Sequence, residues 1–186
     1  MLMKLSKTHK YTLLCEDKLT YCYIRRFLLA QGISGRKIVS LPLPADGCGE
    51  QYVRLQFPRY LQALRSKSFD SNVLVVAIDA DKKSPQERKN QLNEACEEAE
   101  ISVITEIDKL LVFVPKRNVE TWIKYFDGEV VDEEQDFAHY LNGHESDCYS
   151  AAENMSEQFS KDNFTTELPA LQDAYGEYKR LVEIVN

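Results

Sequence analysis

The chain has 186 residues and a formal net charge of −7, a length that suits one domain, or one domain with a short appendage. That is enough chain for a buried sheet covered by helices on both sides, and the ordinary apolar and charged fractions exclude global disorder. No apolar run approaches the roughly 18 residues needed to span a bilayer, and Met1 to Lys10 lacks an apolar core of signal-peptide length, so no membrane association and a cytoplasmic setting are expected.

In chain order, Tyr11 to Cys15 reads as a short first strand, followed by Glu16 and Asp17. A helix is expected from about Lys18 to Ala30, because Leu19, Tyr23, Phe27 and Ala30 recur at helical spacing, and Gly32 stands where a helix C-terminus takes glycine. Lys37 to Leu41 is a second strand. Pro42 to Gly49 is a loop whose Gly47-Cys48-Gly49 tip reads as a turn, with a phosphate nest as the weaker alternative. The second helix runs from about Glu50 to Arg65, with Pro58 as a kink or restart.

Val73 to Ile78 is apolar throughout, the pattern of a strand covered on both faces in the centre of a parallel sheet. Ser84-Pro85-Gln86-Glu87 opens the third helix, with serine as N-cap and proline in the first turn, and that helix runs to about Ala99. Ile101–Thr105 and Leu110–Val114 read as two further strands. Asn118 to Trp122 begins a fourth helix. From Asp127 onward short helices and acidic loops are expected, closing with a helix from about Pro169 to Val185. The alternation predicts an α/β fold with a mostly parallel central sheet and helices on both faces. We divide the chain into a catalytic domain, residues 1–126, and an acidic helical extension, residues 127–186, packed on it.

Charge follows that division. Residues 1–126 hold 20 Lys and Arg against 15 Asp and Glu, whereas residues 127–186 hold 3 against 15. Residues 127–157 contain no Lys or Arg. The acidic total argues against a nonspecific nucleic-acid coat, while the basic first part leaves room for a phosphate-binding face. The acidic stretch reads first as a solvated surface, and second as a segment that docks on a partner or covers the basic face. The five cysteines are scattered without a Cys-x-x-Cys pair, so a disulfide framework is not expected. His139, His144 and Cys148 match the spacing of no common zinc site.

Three strands end in acid. Glu16 follows the first, Asp79 and Asp81 follow the third, and Glu120 lies shortly after Leu110–Val114. The C-terminal strand ends of an open parallel sheet form its ligand crevice, so these carboxylates are expected to converge there. In extended backbone Asp79 and Asp81 would point the same way. Clustered carboxylates repel unless a hard divalent cation neutralises them. Mg²⁺, or equally Mn²⁺, takes such oxygen ligands and suits phosphoryl chemistry. Lys82 and Lys83 directly follow Asp81, and Lys116 and Arg117 precede Glu120. Positive side chains there would hold a phosphate backbone.

Leu14-Cys15-Glu16 followed by Ile78-Asp79-Ala80-Asp81 resembles the Toprim signature, a lone glutamate and then Asp-x-Asp. Val114-Pro115-Lys116-Arg117-Asn118-Val119-Glu120-Thr121-Trp122 is similar to the Pro-x-x-x-x-Glu-x-Trp segment of small Toprim-like proteins encoded beside an ATPase in prokaryotic defence systems. The resemblance covers roughly residues 10–126. The glycine often found soon after the first glutamate of that signature is absent. The resemblance implies a metal-dependent nuclease cutting DNA or RNA, the effector of an ATPase-regulated antiviral system. Glu16 would be general base or metal ligand, Asp79 and Asp81 metal ligands, and Glu120 a further ligand or orienting group. Nucleic acid and an ATPase are the implied partners, and a homo-oligomer is compatible with the same reading. The alternative from another class is a non-catalytic subunit that binds nucleic acid or nucleotide as sensor or scaffold.

Overall fold

The computed structural model describes residues 2–45, 48–66, 71–141 and 144–186. Four strands, β1 (Lys10–Cys15), β2 (Ile38–Ser40), β3 (Asn72–Ala77) and β4 (Leu110–Phe113), form one sheet in the order β2-β1-β3-β4, parallel throughout. Six α-helices accompany it: α1 (Lys18–Ala30), α2 (Gly49–Ser66), α3 (Pro85–Glu98), α4 (Glu120–Phe126), α5 (Tyr149–Phe159) and α6 (Pro169–Val185). This is the α/β architecture with a parallel sheet and a helical C-terminal region that the sequence predicts. Among the described residues no helix is long and apolar enough to cross a membrane.

The continuous apolar strands follow from burial on both faces. Tyr11, Leu13, Val73, Val75, Leu111 and Phe113 enter one core, with α1, α4, α5 and α6. Leu14, Leu74, Val76, Leu110 and Val112 enter a second core, with α2 and α3. The period-two alternation of a strand thus divides its side chains between two helical layers. Within the first core Phe27, Phe113, Phe159 and Tyr178 meet edge to face, and Trp122 packs on Phe113 in the same way. The core therefore takes in the α5 and α6 helices of the acidic part.

A polar network ties the N-terminus to the last two helices. The fully buried Gln31 donates to the Ser156 carbonyl and to the Ser156 and Ser160 hydroxyls, and its Oε1 accepts from Tyr178 Oη at 2.8 Å. Tyr178 sits between Met3 and Gln31, and all the polar atoms named here find partners, the condition under which a buried network specifies packing.

Local signals account for the helix starts. Asp17 caps α1, its carboxylate accepting from the Thr20 N–H at 2.7 Å. Ser84 and Glu87 form a reciprocal capping box on α3, as the sequence predicts. Gly32 takes φ +91° after α1. The α2 helix runs through Pro58 without a restart, and α4 begins at Glu120, later than expected.

Residues 101–105, expected as a strand, are not one. Their backbone groups are satisfied by side chains instead of a neighbouring strand. Arg65 donates to the carbonyls of Ser102 and Val103, each at 2.6 Å, Asn93 accepts from the Ile104 N–H, and Asp108 accepts from the Thr105 N–H. Arg65 also forks onto both oxygens of Asp108, at 2.8 and 2.6 Å. A β-prone run whose hydrogen bonds are met this way has no need of a ladder.

Candidate active site

The strand order places β1 and β3 side by side, while the chain leaves β1 for one edge of the sheet and β3 for the other. The crevice outside their C-terminal ends is the topological switch point, where open α/β sheets bind ligands. Glu16 directly follows β1, and Asp79 lies two residues beyond β3. Asp17 takes the capping role at α1, which leaves the Glu16 carboxylate to cross to β3. Its Oε2 accepts from the Asp79 backbone N–H at 3.0 Å. A cleft of about 320 Å³ opens here, lined by Glu16, Asp17, Leu43, Gly49, Glu50 and Asp81 among others.

Asp79 is 7 % exposed, and among the described residues its Oδ1 has no hydrogen-bond partner. Burial holds its pKa well above the ordinary carboxylate range, and the Glu16 charge and a hydrogen bond with Glu16 raise it further. Burial raises Glu16 as well, opposed by its hydrogen bonds with Asp79. Each carboxyl opposes ionisation of the other, so protons are held more tightly here than on exposed carboxyls. Glu120, at the start of α4, is pushed up to about 7, first by burial and then by the charges of Asp17, Asp136 and Glu16. Glu16, Asp79 and Glu120 are thus within electrostatic reach of one another.

Asp81 departs from expectation. The backbone does not stay extended from Asp79 to Asp81, because Asp81 adopts φ +55° and forms an isolated bridge with Arg117, itself at φ +65°. Left-handed backbone at two non-glycine residues facing each other is strain of the kind found around functional sites. The turn sends the Asp81 carboxylate away from Asp79 and onto Arg88, at 2.9 Å.

Arg88 is the residue the sequence reading misses. Its side chain is 3 % exposed in α3. Nε donates to the Asp79 carbonyl at 2.9 Å, and the two terminal nitrogens reach Asp81, Glu50 and Gln91. One guanidinium fork thus fixes the whole turn after β3 and joins it to the start of α2. Arg88 stands in helical register with the buried Leu92 and Cys96, a faint signal that it faces inward.

Gly49 is the second unrecognised contributor. A Cβ there would lie 2.5 Å from the Glu16 carbonyl oxygen, so α2 starts directly against the Glu16 backbone. Gly49→Ala should cost about 1–3 kcal/mol by overpacking. Urea melts of the variant check this, and an unchanged midpoint would show that the loop before α2 yields freely. Gly47 lies outside the described residues.

Of the expected phosphate-holding residues, Lys82 and Lys83 are exposed. Lys116 donates to the Lys83 carbonyl at 3.0 Å and pairs with Glu134 at 3.3 Å. Arg117 donates through Nε to the Glu134 carbonyl, and its backbone N–H donates to the Asp81 carbonyl at 3.2 Å.

Among the described residues no three His, Cys, Asp or Glu side chains are set to ligate one ion. A magnesium ion needs only one or two protein carboxylates, completing its shell with waters and substrate phosphates. Glu16 and Asp79 would supply two such carboxylates, and the Asp79 Oδ1, without a partner among the described residues, is an oxygen donor of the kind magnesium takes.

A pH prediction follows from Glu120. Its raised pKa means that the folded state holds its proton more tightly than the unfolded chain does. The associated stability is complete below the ordinary glutamate range and is lost as pH rises through about 7. Glu120→Gln should therefore gain about 1–2 kcal/mol near pH 8, after allowance for solvent screening, and almost nothing near pH 4. Denaturant melts at the two pH values check this; a gain independent of pH would show that the Glu120 charge is not the cause.

Comparison with family models, with curated proteins and with solved structures finds no match.

Proposed function

We propose that the chain is a Toprim-like, metal-dependent nuclease that hydrolyses phosphodiester bonds in DNA or RNA. The observation that carries this reading is the half-buried Glu16 carboxyl meeting the buried Asp79 at the switch point of a parallel sheet. Glu16 and Asp79 would hold Mg²⁺ or Mn²⁺, with Glu120 and Asp81 at the rim as further ligands or orienting groups. Such an ion supplies charge neutralisation at a phosphoryl oxygen and a more acidic bound water. The chain's own contribution is a dry, rigid carboxylate pair, a raised Glu120 able to move a proton near neutral pH, and cations for the phosphate backbone at Lys82, Lys83, Lys116 and Arg117.

The setting that accompanies this reading is a cytoplasmic antiviral system with an ATPase partner, by the resemblance of the three acidic segments. Cys15, Cys48, Cys96 and Cys148 are free thiols, in keeping with a reducing compartment. Incubation of wild type and of Asp79→Asn with plasmid, single-stranded DNA and tRNA, each with Mg²⁺ and Mn²⁺, tests the proposal. Cleavage by the wild type alone supports it and identifies the substrate.

The capture of Asp81 by Arg88 favours one other reading, a subunit that binds nucleic acid or nucleotide without turnover. That reading gains if both proteins bind an oligonucleotide equally and neither cleaves, with or without the ATPase.

A further inference from the structure

The acidic stretch meets the cations that precede Glu120. Glu134 places its carboxylate 3.3 Å from Lys116 Nζ and 3.8 Å from the Arg117 guanidinium, and its carbonyl accepts from Arg117 Nε at 3.1 Å. Asp136, two residues on, accepts from Asn118 at 2.7 Å. The segment thus lies along the loop between β4 and α4, whose Arg117 is bridged to Asp81. An anion in contact with both of these cations thus sits on the loop that is bridged to Asp81, a residue lining the cleft at Glu16.

We propose that Lys116 and Arg117 form a phosphate subsite that the chain fills in cis with the Glu134 carboxylate, so that a substrate phosphate and Glu134 compete for the same two cations. The inference rests on the phosphodiester reading of the site and adds how access to it is limited.

The contrast between neighbouring residues shows that this contact is built to exchange. The Glu133 carboxyl is buried and accepts from the N–H groups of Ala170 and Leu171 at the start of α6, at 3.1 and 3.3 Å. Charge-assisted bonds of that kind, out of water, hold a segment in place. The Glu134 side chain is 67 % exposed, and an ion pair so exposed contributes little and is screened by salt. Lys116 is only 12 % exposed and is fixed by the Lys83 carbonyl, so the cation stays when the carboxylate leaves. Displacement is therefore a swing of one glutamate on an anchored segment. A cleft of about 520 Å³, lined by Ser84, Pro85, Lys116, Glu134 and Pro169 among others, opens beside the pair and gives a phosphate its approach.

The experiment measures binding without catalysis. Fluorescein-labelled DNA and RNA oligonucleotides and inorganic polyphosphate are titrated in EDTA with wild type, Glu134→Gln and Glu129→Gln. The last removes the same charge from an exposed position in the same stretch. Glu134→Gln should tighten binding about 3- to 10-fold at low salt, well beyond Glu129→Gln, with the gain fading as salt rises. Lys116→Ala in the Glu134→Gln background should abolish the gain. Equal effects of the two glutamine variants, a gain that survives Lys116→Ala, or no binding of any polyanion would each overturn the subsite. A parallel cleavage assay with Mg²⁺ and Mn²⁺ keeps the two proposals apart. Tighter binding without cleavage upholds the subsite and removes the nuclease reading, whereas cleavage by wild type with no gain in Glu134→Gln does the reverse.

Discussion

Asp79→Asn should yield a protein that is more stable than wild type near pH 8 and unable to bind a divalent cation. The half-buried Glu16 meets the buried Asp79, whose Oδ1 has no partner among the described residues. Holding carboxyls there costs free energy once the pH exceeds their ordinary range, because the raised folded-state pKa values of both groups make stability fall as pH rises. The amide removes the ionisable group, keeps the shape, and leaves the backbone N–H that donates to Glu16. The gain should be about 1–2 kcal/mol near pH 8, a rise of about 2–8 °C in Tm for a chain of this size, and should vanish near pH 3, where both states are protonated. Thermal melts across pH measure it. A variant that is less stable at every pH would mean that the carboxyl is a structural hydrogen-bonding group and not a stored cost of function.

Arg88→Met should have the opposite sign and the larger magnitude. The guanidinium is nearly fully buried and serves the Asp79 carbonyl, Asp81, Glu50 and Gln91 together. Methionine fills part of the volume but leaves these acceptors unpaired, a loss of about 3–5 kcal/mol, or about 6–20 °C in Tm. Arg88→Lys should recover only part of it, because an ammonium cannot span acceptors arranged around a planar fork. Denaturant unfolding of the two variants checks the ordering. Equal stability of wild type and Arg88→Lys would show that only the charge matters and that the fork does not hold the turn after β3.

The parts of this architecture legible in the sequence are those specified by local pattern. Apolar runs ending in acid locate Glu16 and Asp79 correctly, because a parallel strand buried on both faces has few other ways to be written. The Ser84 cap and the bounds of α1 and α6 are equally local. What escapes is set by contacts distant in sequence. Arg88 looks like a solvated helical arginine until β3 and α2 close around it. Ile101–Thr105 is β-prone, yet Arg65 and Asn93 on two different helices take its hydrogen bonds. The alternation rule fails at Asp81 because the chain turns left-handed there, under the pull of Arg88 and the bridge to Arg117. Glu133 and Glu134 are indistinguishable within an acidic run, yet one is a buried anchor on α6 and the other an exposed contact to Lys116.

The central claim, that Glu16 and Asp79 together make a cation site, is tested most directly by calorimetric titration of Mn²⁺ into wild type and Asp79→Asn in two buffers of different ionisation enthalpy. The account predicts saturable binding to wild type with release of the proton the carboxyl pair holds, seen as a buffer-dependent heat, and no binding to the variant. No binding to wild type, or the same binding with no proton release in both proteins, would contradict it.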